Sequence, residues 1–180
     1  MTARRRLRVI QWSTGNVGRF ALRSVIEHPE LELVGVWVHS EKKAGLDAGE
    51  LCGTTPVGVV ATNDAEALLD LDADCVVYTA TADLRLLEAV EDICRILRSG
   101  KNVVSSSLVS LVHPRHLGPD LYQRFADACL EGDASFFTSG IDPGFANDVL
   151  PLTLSGLARH WTQIRIQEIV NYATYHQPEV

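Results

Sequence analysis

Two short runs, L-V-G-V-W-V-H at residues 33–39 and C-V-V-Y-T at 75–79, restrict this chain more than any other feature, because neither has a polar face. A strand with one side in water alternates apolar and polar residues, whereas one that is apolar throughout has to be covered twice. Strand character recurs at 7–12, 57–61, 102–105 and 135–138. Helical spacing fills the gaps at 19–28, 44–51, 65–71, 84–98 and 119–130. Such an alternation specifies an α/β chain, a doubly wound parallel sheet over about residues 5–140, with right-handed crossovers. The breaks agree. Pro29 ends the first helix, Asn63 or Asp64 caps the one at 65–71, Asp83 caps the next, and Ser99-Gly100 stops it.

After Gly140 the character changes. Residues 145–160 keep helical spacing, and 163–175 alternate like a strand exposed on one face. A lone strand of this kind cannot bury its apolar side. The expectation is an incomplete second domain over 141–180, covered by the rest of a longer protein or by a second copy pairing along this strand.

In doubly wound sheets, ligands lie at the carboxyl ends of the strands. That rule gathers residues 13–18, 39–43, 79–83 and 105–107 along one edge. The first of these is a small-residue turn between a strand and a helix, an order that sets a dinucleotide pyrophosphate against free helix N–H groups. Ser13, Thr14, Gly15, Asn16, Val17 and Gly18 align on G-x-G-x-x-G, with Ser13 in the first glycine position. Ser13 is expected to make the turn with a negative φ. Gly15 lets the backbone approach phosphate, and Gly18 lets the helix pack on the strand. A bare G-x-x-G is also an ordinary strand-to-helix turn, but the strand before it, the helix after it and the second strand beyond point to NAD(P). His39 and Ser40, about twenty residues further on, occupy the strand end where an NAD-specific protein carries an acid. A hydroxyl at Ser40 with an ammonium at Lys42 or Lys43 suits the 2′-phosphate of NADP. Glu41 keeps NAD open as the alternative.

Composition excludes other classes. The chain has 180 residues, 46% hydrophobic and 22% charged, with a net charge of −7, which favours neither nucleic acid nor an anionic membrane as partner. No run approaches the ~20 apolar residues of a membrane span. The arginine-rich opening lacks the apolar stretch of a signal peptide and is expected to be a frayed lead-in. Cys52, Cys75, Cys94 and Cys129 form no C-x-x-C. They read as reduced thiols of a cytoplasmic protein, and no metal site is expected.

Four stretches together carry a resemblance: V-I-Q-W-S-T-G-N-V-G-R at 9–19, D-A-G-E-L-C-G at 47–53, G-K-N-V-V-S-S-S at 100–107 and S-G-I-D-P-G-F-A-N-D-V-L-P at 139–151. In these the chain resembles the dihydrodipicolinate-reductase-like dehydrogenases, and more closely their 2,4-diaminopentanoate and amine dehydrogenase relatives. The resemblance implies a coenzyme domain at 1–140 and the beginning of a substrate or dimerisation domain at 141–180, in a protein about twice this length. It also implies hydride transfer between NAD(P)H and an imine or carbonyl carbon of a small molecule. Thr79, Ala80, Thr81, Ser105 and Ser106 would then lie beside the nicotinamide half, with the turn at 140–145 against the ring.

Two departures narrow this. The His-His pair and Lys of true dihydrodipicolinate reductases are missing from 168–176. The carboxylate that amine dehydrogenases place after the N-V-V-S strand end is replaced by Leu108-Val109-Ser110, with no acid before Asp120. By analogy with other electrostatic sites, losing that counter-charge costs roughly 2–4 kcal/mol at an iminium centre. His113 and His116 are candidate acids for a carbonyl, with plain solvated histidines as the alternative. Asp142 is a candidate to face the pocket, and Asp148 to brace a helix. The expected function is an NAD(P)H-dependent oxidoreductase. The competing readings are an NADP-binding sensor or interaction module and an inactive fragment.

Overall fold

The computed structural model describes residues 5–82, 85–171 and 173. Five strands, β1 (Leu7–Trp12), β2 (Leu31–Trp37), β3 (Cys75–Tyr78), β4 (Asn102–Ser105) and β5 (Phe136–Thr138), form one parallel sheet in the order β2-β1-β3-β4-β5. The chain winds outward from β1 to β2, then returns to add β3 on the other side. The carboxyl ends of β1 and β3 therefore flank the point where the winding reverses, which is where such sheets open a crevice.

Helices α1 (Asn16–Glu27), α2 (Ala48–Cys52), α3 (Ala65–Leu69), α4 (Leu86–Arg98) and α5 (Pro119–Glu131) cover the sheet. On one face Ile10, Trp12, Val76 and Tyr78 pack with Ala89, Val90, Ile93 and Leu97 of α4. On the other, Leu22 of α1 packs with Val36, Val38, Ala48 and Ala61. Each fully buried Ile, Leu or Val contributes about 1.5–3 kcal/mol relative to exposure. The second layer does not reach the far edge: Val104 and Phe137 remain 44% and 62% exposed on β4 and β5. Two-sided cover thus holds around β1, β2 and β3 and is one-sided beyond.

Several expectations are corrected. Residues 57–61 do not form a sheet strand, because their backbone groups pair with the loop at 45–48 and only the next residue, Thr62, reaches the end of β2. Ala48 donates to the Val59 carbonyl (2.8 Å) and Ala61 to that of Leu46 (2.9 Å), while Val38 donates to that of Thr62 (2.9 Å). The helix expected at 44–51 starts only at Ala48, since Gly45 has φ +88 and Asp47 is the N-cap of α2. The Asp47 carboxylate accepts from the N–H groups of Gly49, Val57 and Gly58 at 2.7–2.9 Å, which explains the D-A-G motif as a loop clasp. Those bonds hold its carboxyl below the usual value.

Asp64 caps α3 as expected, accepting from Ala67 N–H at 3.1 Å. Asp83 lies outside the described residues. Arg4 lies outside the described residues, and the other opening arginines are not frayed: Arg5 pairs with Asp74 (2.6 Å), Arg6 donates to the Pro29 carbonyl (2.9 Å) and Arg8 to that of Asp72 (2.7 Å). Cys94 is buried and the other three cysteines are half-buried. Burial pushes the Cys75 thiol up to about 11, so it stays a thiol.

One half-buried carboxylate sets a pH effect. The Tyr78 hydroxyl donates to Asp92 of α4 (3.2 Å), with Arg85 3.6 Å from the same carboxylate. Desolvation outweighs these partners and raises the Asp92 pKa. Its charge therefore opposes folding once the pH exceeds the folded-state value, and this cost vanishes below the unfolded value of about 3.9. Asp92→Asn is expected to raise Tm at neutral pH, with the gain shrinking on acidification. A Tm difference independent of pH in thermal melts would contradict this.

The chain divides into two compact units, Met1–Gly140 and Ile141–Val180. In the second, a π-helical turn (Phe145–Val149) leads into α6 (Leu150–Ser155), so helix forms where the spacing at 145–160 suggests it but ends at Ser155. Gly156 closes α6. The described residues 163–171 form no strand and are exposed. A strand needs a partner for its N–H and C=O groups, and none lies beside them among the described residues. No helix among the described residues is long and apolar enough to cross a membrane.

Candidate functional site

The turn joining β1 to α1 is built around the Ser13 carbonyl. Fully buried Gln11 donates its Nε2 to that oxygen at 2.8 Å, and the Thr79 hydroxyl at the end of β3 lies 3.2 Å from it. Ser13 itself has φ +80. The expected negative φ is thus overturned: serine adopts the left-handed conformation that glycine takes without strain, at a cost of about 1–2 kcal/mol. Ser13→Gly is accordingly expected to stabilise the fold by about 1 kcal/mol, a Tm rise of about 2–4 °C. An unchanged or lowered Tm would show that the serine side chain contributes more than its backbone costs.

Gly18 behaves as expected. A Cβ placed there would lie 2.3 Å from the Ser13 carbonyl oxygen and 2.7 Å from Thr79 Oγ1, so only glycine lets α1 sit this close. Gly15 is the opposite case, with nothing within 4 Å of an added Cβ. Gly15 is the N-cap of α1, no side chain caps the helix, and its first turn holds no acid. A helix of 12 residues thus presents its positive end and free N–H groups at exposed Gly15, Asn16 and Val17.

The loop after β2 comes to the same turn. Lys43 Nζ donates to the Thr14 carbonyl at 2.8 Å and lies 3.3 Å from its hydroxyl. Lys42 is exposed and, among the described residues, has no bond to the turn. His39 is exposed, its ring 6.1 Å from that of Trp37. Ser40 is half-buried, and its carbonyl accepts from the Lys43 and Ala44 N–H groups. Beneath the turn Trp12 and Trp37 stack at 5.0 Å and 10°.

Hydroxyls tie the remaining strand ends. Ser107 donates to the Ala80 carbonyl (2.6 Å), and Ser105 accepts from Ser107 N–H (2.9 Å). Thr138 lies 2.8 Å from the Ser107 carbonyl and 3.1 Å from that of Ser105. Ser106 and Thr81 are left exposed beside them. Leu108 is buried with φ +51. His113 and His116 come next, in consecutive 3₁₀ turns (Val109–Val112 and Pro114–Leu117), both exposed, their rings 6.2 Å apart. Asp142, in the second unit, accepts from Asn147 Nδ2, and its carboxyl group raises the pKa of Glu168. Ser13–Gly18, Lys43 and Thr79 therefore form one cluster, which the ties among Ala80, Ser105 and Ser107 extend along the sheet edge. Sequence reasoning missed Gln11, whose signal was a polar residue inside an apolar strand.

A doubly wound parallel sheet with an uncapped helix N-terminus at its reversal point defines a protein of the Rossmann class. Within that class the chain belongs to the family described as dihydrodipicolinate reductase, N-terminus, which matches residues 9–107. It is 48% identical over 171 residues to an amine dehydrogenase of Streptomyces virginiae, covering 94% of this chain and 48% of that protein. It is 28% identical over 144 residues to a 4-hydroxy-tetrahydrodipicolinate reductase of Synechocystis, covering 79% and 48% respectively. The fold matches an amine dehydrogenase structure from Mycobacterium smegmatis with a TM-score of 0.72 and 24% identity, over 86% of this chain and 45% of that one. The chain thus spans about half the length of the curated relatives it matches.

Proposed function

We propose that this chain is the coenzyme-binding part of an NADP(H)-dependent oxidoreductase that moves hydride to or from an imine or carbonyl carbon of a small molecule. The observation that carries the reading is the uncapped α1 N-terminus behind Gly15, with Gly18 packed against Ser13 at the reversal point of the sheet. Ser13, Thr14, Gly15, Asn16, Val17 and Gly18 would hold the diphosphate, whose charge the helix end stabilises. NADP is preferred to NAD because β2 leads into His39 and Ser40 instead of an acid, and Lys43 places an ammonium at the turn. Thr79, Ala80, Thr81, Ser105 and Ser106 would flank the nicotinamide, which supplies the hydride when bound. His113, His116 and Asp142 are the proton-handling candidates.

On this reading residues 1–140 form the coenzyme domain and 141–180 open a substrate domain, in a cytoplasmic protein whose free thiols suit a reducing compartment. The amine dehydrogenase relative supports imine chemistry. One observation favours a second reading, a binding module without turnover: buried Leu108 stands where the resemblance expects a carboxylate. Calorimetric titration with NADPH tests the coenzyme site, and the absence of any binding heat would sink both readings. Oxidation of NADPH with a ketone plus ammonia, or with a preformed imine, separates them. Binding without oxidation, in this chain and in a longer one alike, would leave the module.

A further inference from the structure

Gln11 is an expensive residue to keep in the middle of a sheet. Its side chain is fully buried in β1, and a buried amide opposes folding unless its groups are bonded. Nε2 is bonded twice, to the Ser13 carbonyl and to Thr79 Oγ1, both at 2.8 Å. Oε1 is buried with no partner among the described residues. A carbonyl only accepts, so the contact with Ser13 fixes the amide with its nitrogen toward the turn. Thr79 Oγ1, having received that bond, has its own proton to give to the carbonyl of Trp12 (3.1 Å) or Ser13 (3.2 Å). The result is a directed set of bonds in which Gln11 holds the Ser13 oxygen and Thr79 Oγ1 sits between it and the Trp12 carbonyl. That oxygen belongs to the residue whose φ of +80 is unfavourable for serine.

We infer that Gln11 and Thr79 are positioning residues, which clamp the Ser13 carbonyl inward and thereby hold the next N–H groups along the chain outward for a diphosphate. The inference rests on the coenzyme reading above. Without the clamp Ser13 returns to a negative φ, and rotation about that bond moves Thr14 and Gly15 away from the ligand. Apolar side chains in place of Gln11 and Thr79 would pack as well without an unpartnered Oε1, so packing does not account for them.

The test compares NADPH with two ligands that share its adenosine end: 2′-phospho-ADP-ribose, which keeps the diphosphate without the nicotinamide, and adenosine 2′-monophosphate, which lacks both. Affinities are measured by calorimetry and by saturation-transfer NMR at millimolar ligand. The proteins are the unmodified chain, Gln11→Met, Thr79→Val and Thr79→Ser. Gln11→Met and Thr79→Val are expected to weaken NADPH and 2′-phospho-ADP-ribose alike by about tenfold, the effect of roughly one hydrogen bond, and to leave the monophosphate unchanged. Thr79→Ser, which keeps the hydroxyl, is expected to match the unmodified chain. A loss for NADPH alone would make Thr79 a nicotinamide contact and overturn the inference, as would equal losses for all three ligands or full affinity for 2′-phospho-ADP-ribose in Thr79→Val. If Gln11→Met does not fold, the Thr79 variants decide. An unmodified chain that binds none of the three would instead remove the coenzyme reading.

Discussion

Gly18→Ala is expected to lose about 3 kcal/mol of stability, a fall in Tm of about 6–12 °C, together with at least tenfold of its NADPH affinity. The new methyl carbon would sit 2.3 Å from a backbone oxygen, that of Ser13, which cannot swing aside as a flexible side chain would. Relief comes from moving α1 away from the turn, and this breaks the placement of the helix N-terminus and the contact with Thr79 together. Gly132→Ala is the control. Its Cβ would lie 1.8 Å from the Leu97 carbonyl oxygen, where the ends of α4 and α5 meet, at the opposite edge of the sheet. It is expected to destabilise at least as much, yet bind NADPH normally at temperatures where it stays folded. Thermal melts and calorimetry on both variants check the pair. A Gly18→Ala protein that melts low but binds normally would detach the turn from the coenzyme.

Lys43→Met is expected to lower the preference for NADPH over NADH by about tenfold, the scale of one charge-assisted hydrogen bond. The ammonium already lies at the turn, 2.8 Å from the Thr14 carbonyl, so little ordering would be needed for it to meet a phosphate. Methionine keeps the reach and the apolar stem while removing the charge. Some loss for both coenzymes is expected, because the Thr14 contact goes as well. The selectivity ratio is the decisive quantity. Equal losses for NADPH and NADH would assign Lys43 to the loop alone and return the 2′-phosphate to Ser40 or Lys42. Raising the salt concentration should reduce the preference in the unmodified chain and leave the variant little affected.

Strand periodicity and the run 7–19 make most of this architecture readable from the residues alone. Runs apolar on both faces, such as that containing Val36 and Val38, have few alternatives to a covered parallel sheet. The position of Gly18 likewise comes from the spacing of the turn. The features that escape such reading depend on partners distant in sequence. Residues 57–61 have strand composition, yet the loop at 45–48 takes their backbone bonds and β2 reaches only Thr62 beyond them. The alternation at 163–175 specifies a face, but a face becomes a strand only beside another. The φ of Ser13 is hidden for a related reason: Gln11 and Thr79 impose it, and Thr79 lies 66 residues away. The choice between Lys42 and Lys43 turns on the path of one loop, which composition does not reveal.

The paired indoles of Trp12, next to Ser13 in the chain, and Trp37, whose carbonyl accepts from Ser13 N–H, lie 5.0 Å apart and nearly parallel, close enough for their electronic transitions to mix. Such mixing gives a circular-dichroism band that belongs to the pair and vanishes when either ring is replaced by phenylalanine. The chain therefore carries its own unlabelled optical gauge a residue away from Ser13. Any event that tilts the two ring planes relative to each other will register there as a change of sign or amplitude.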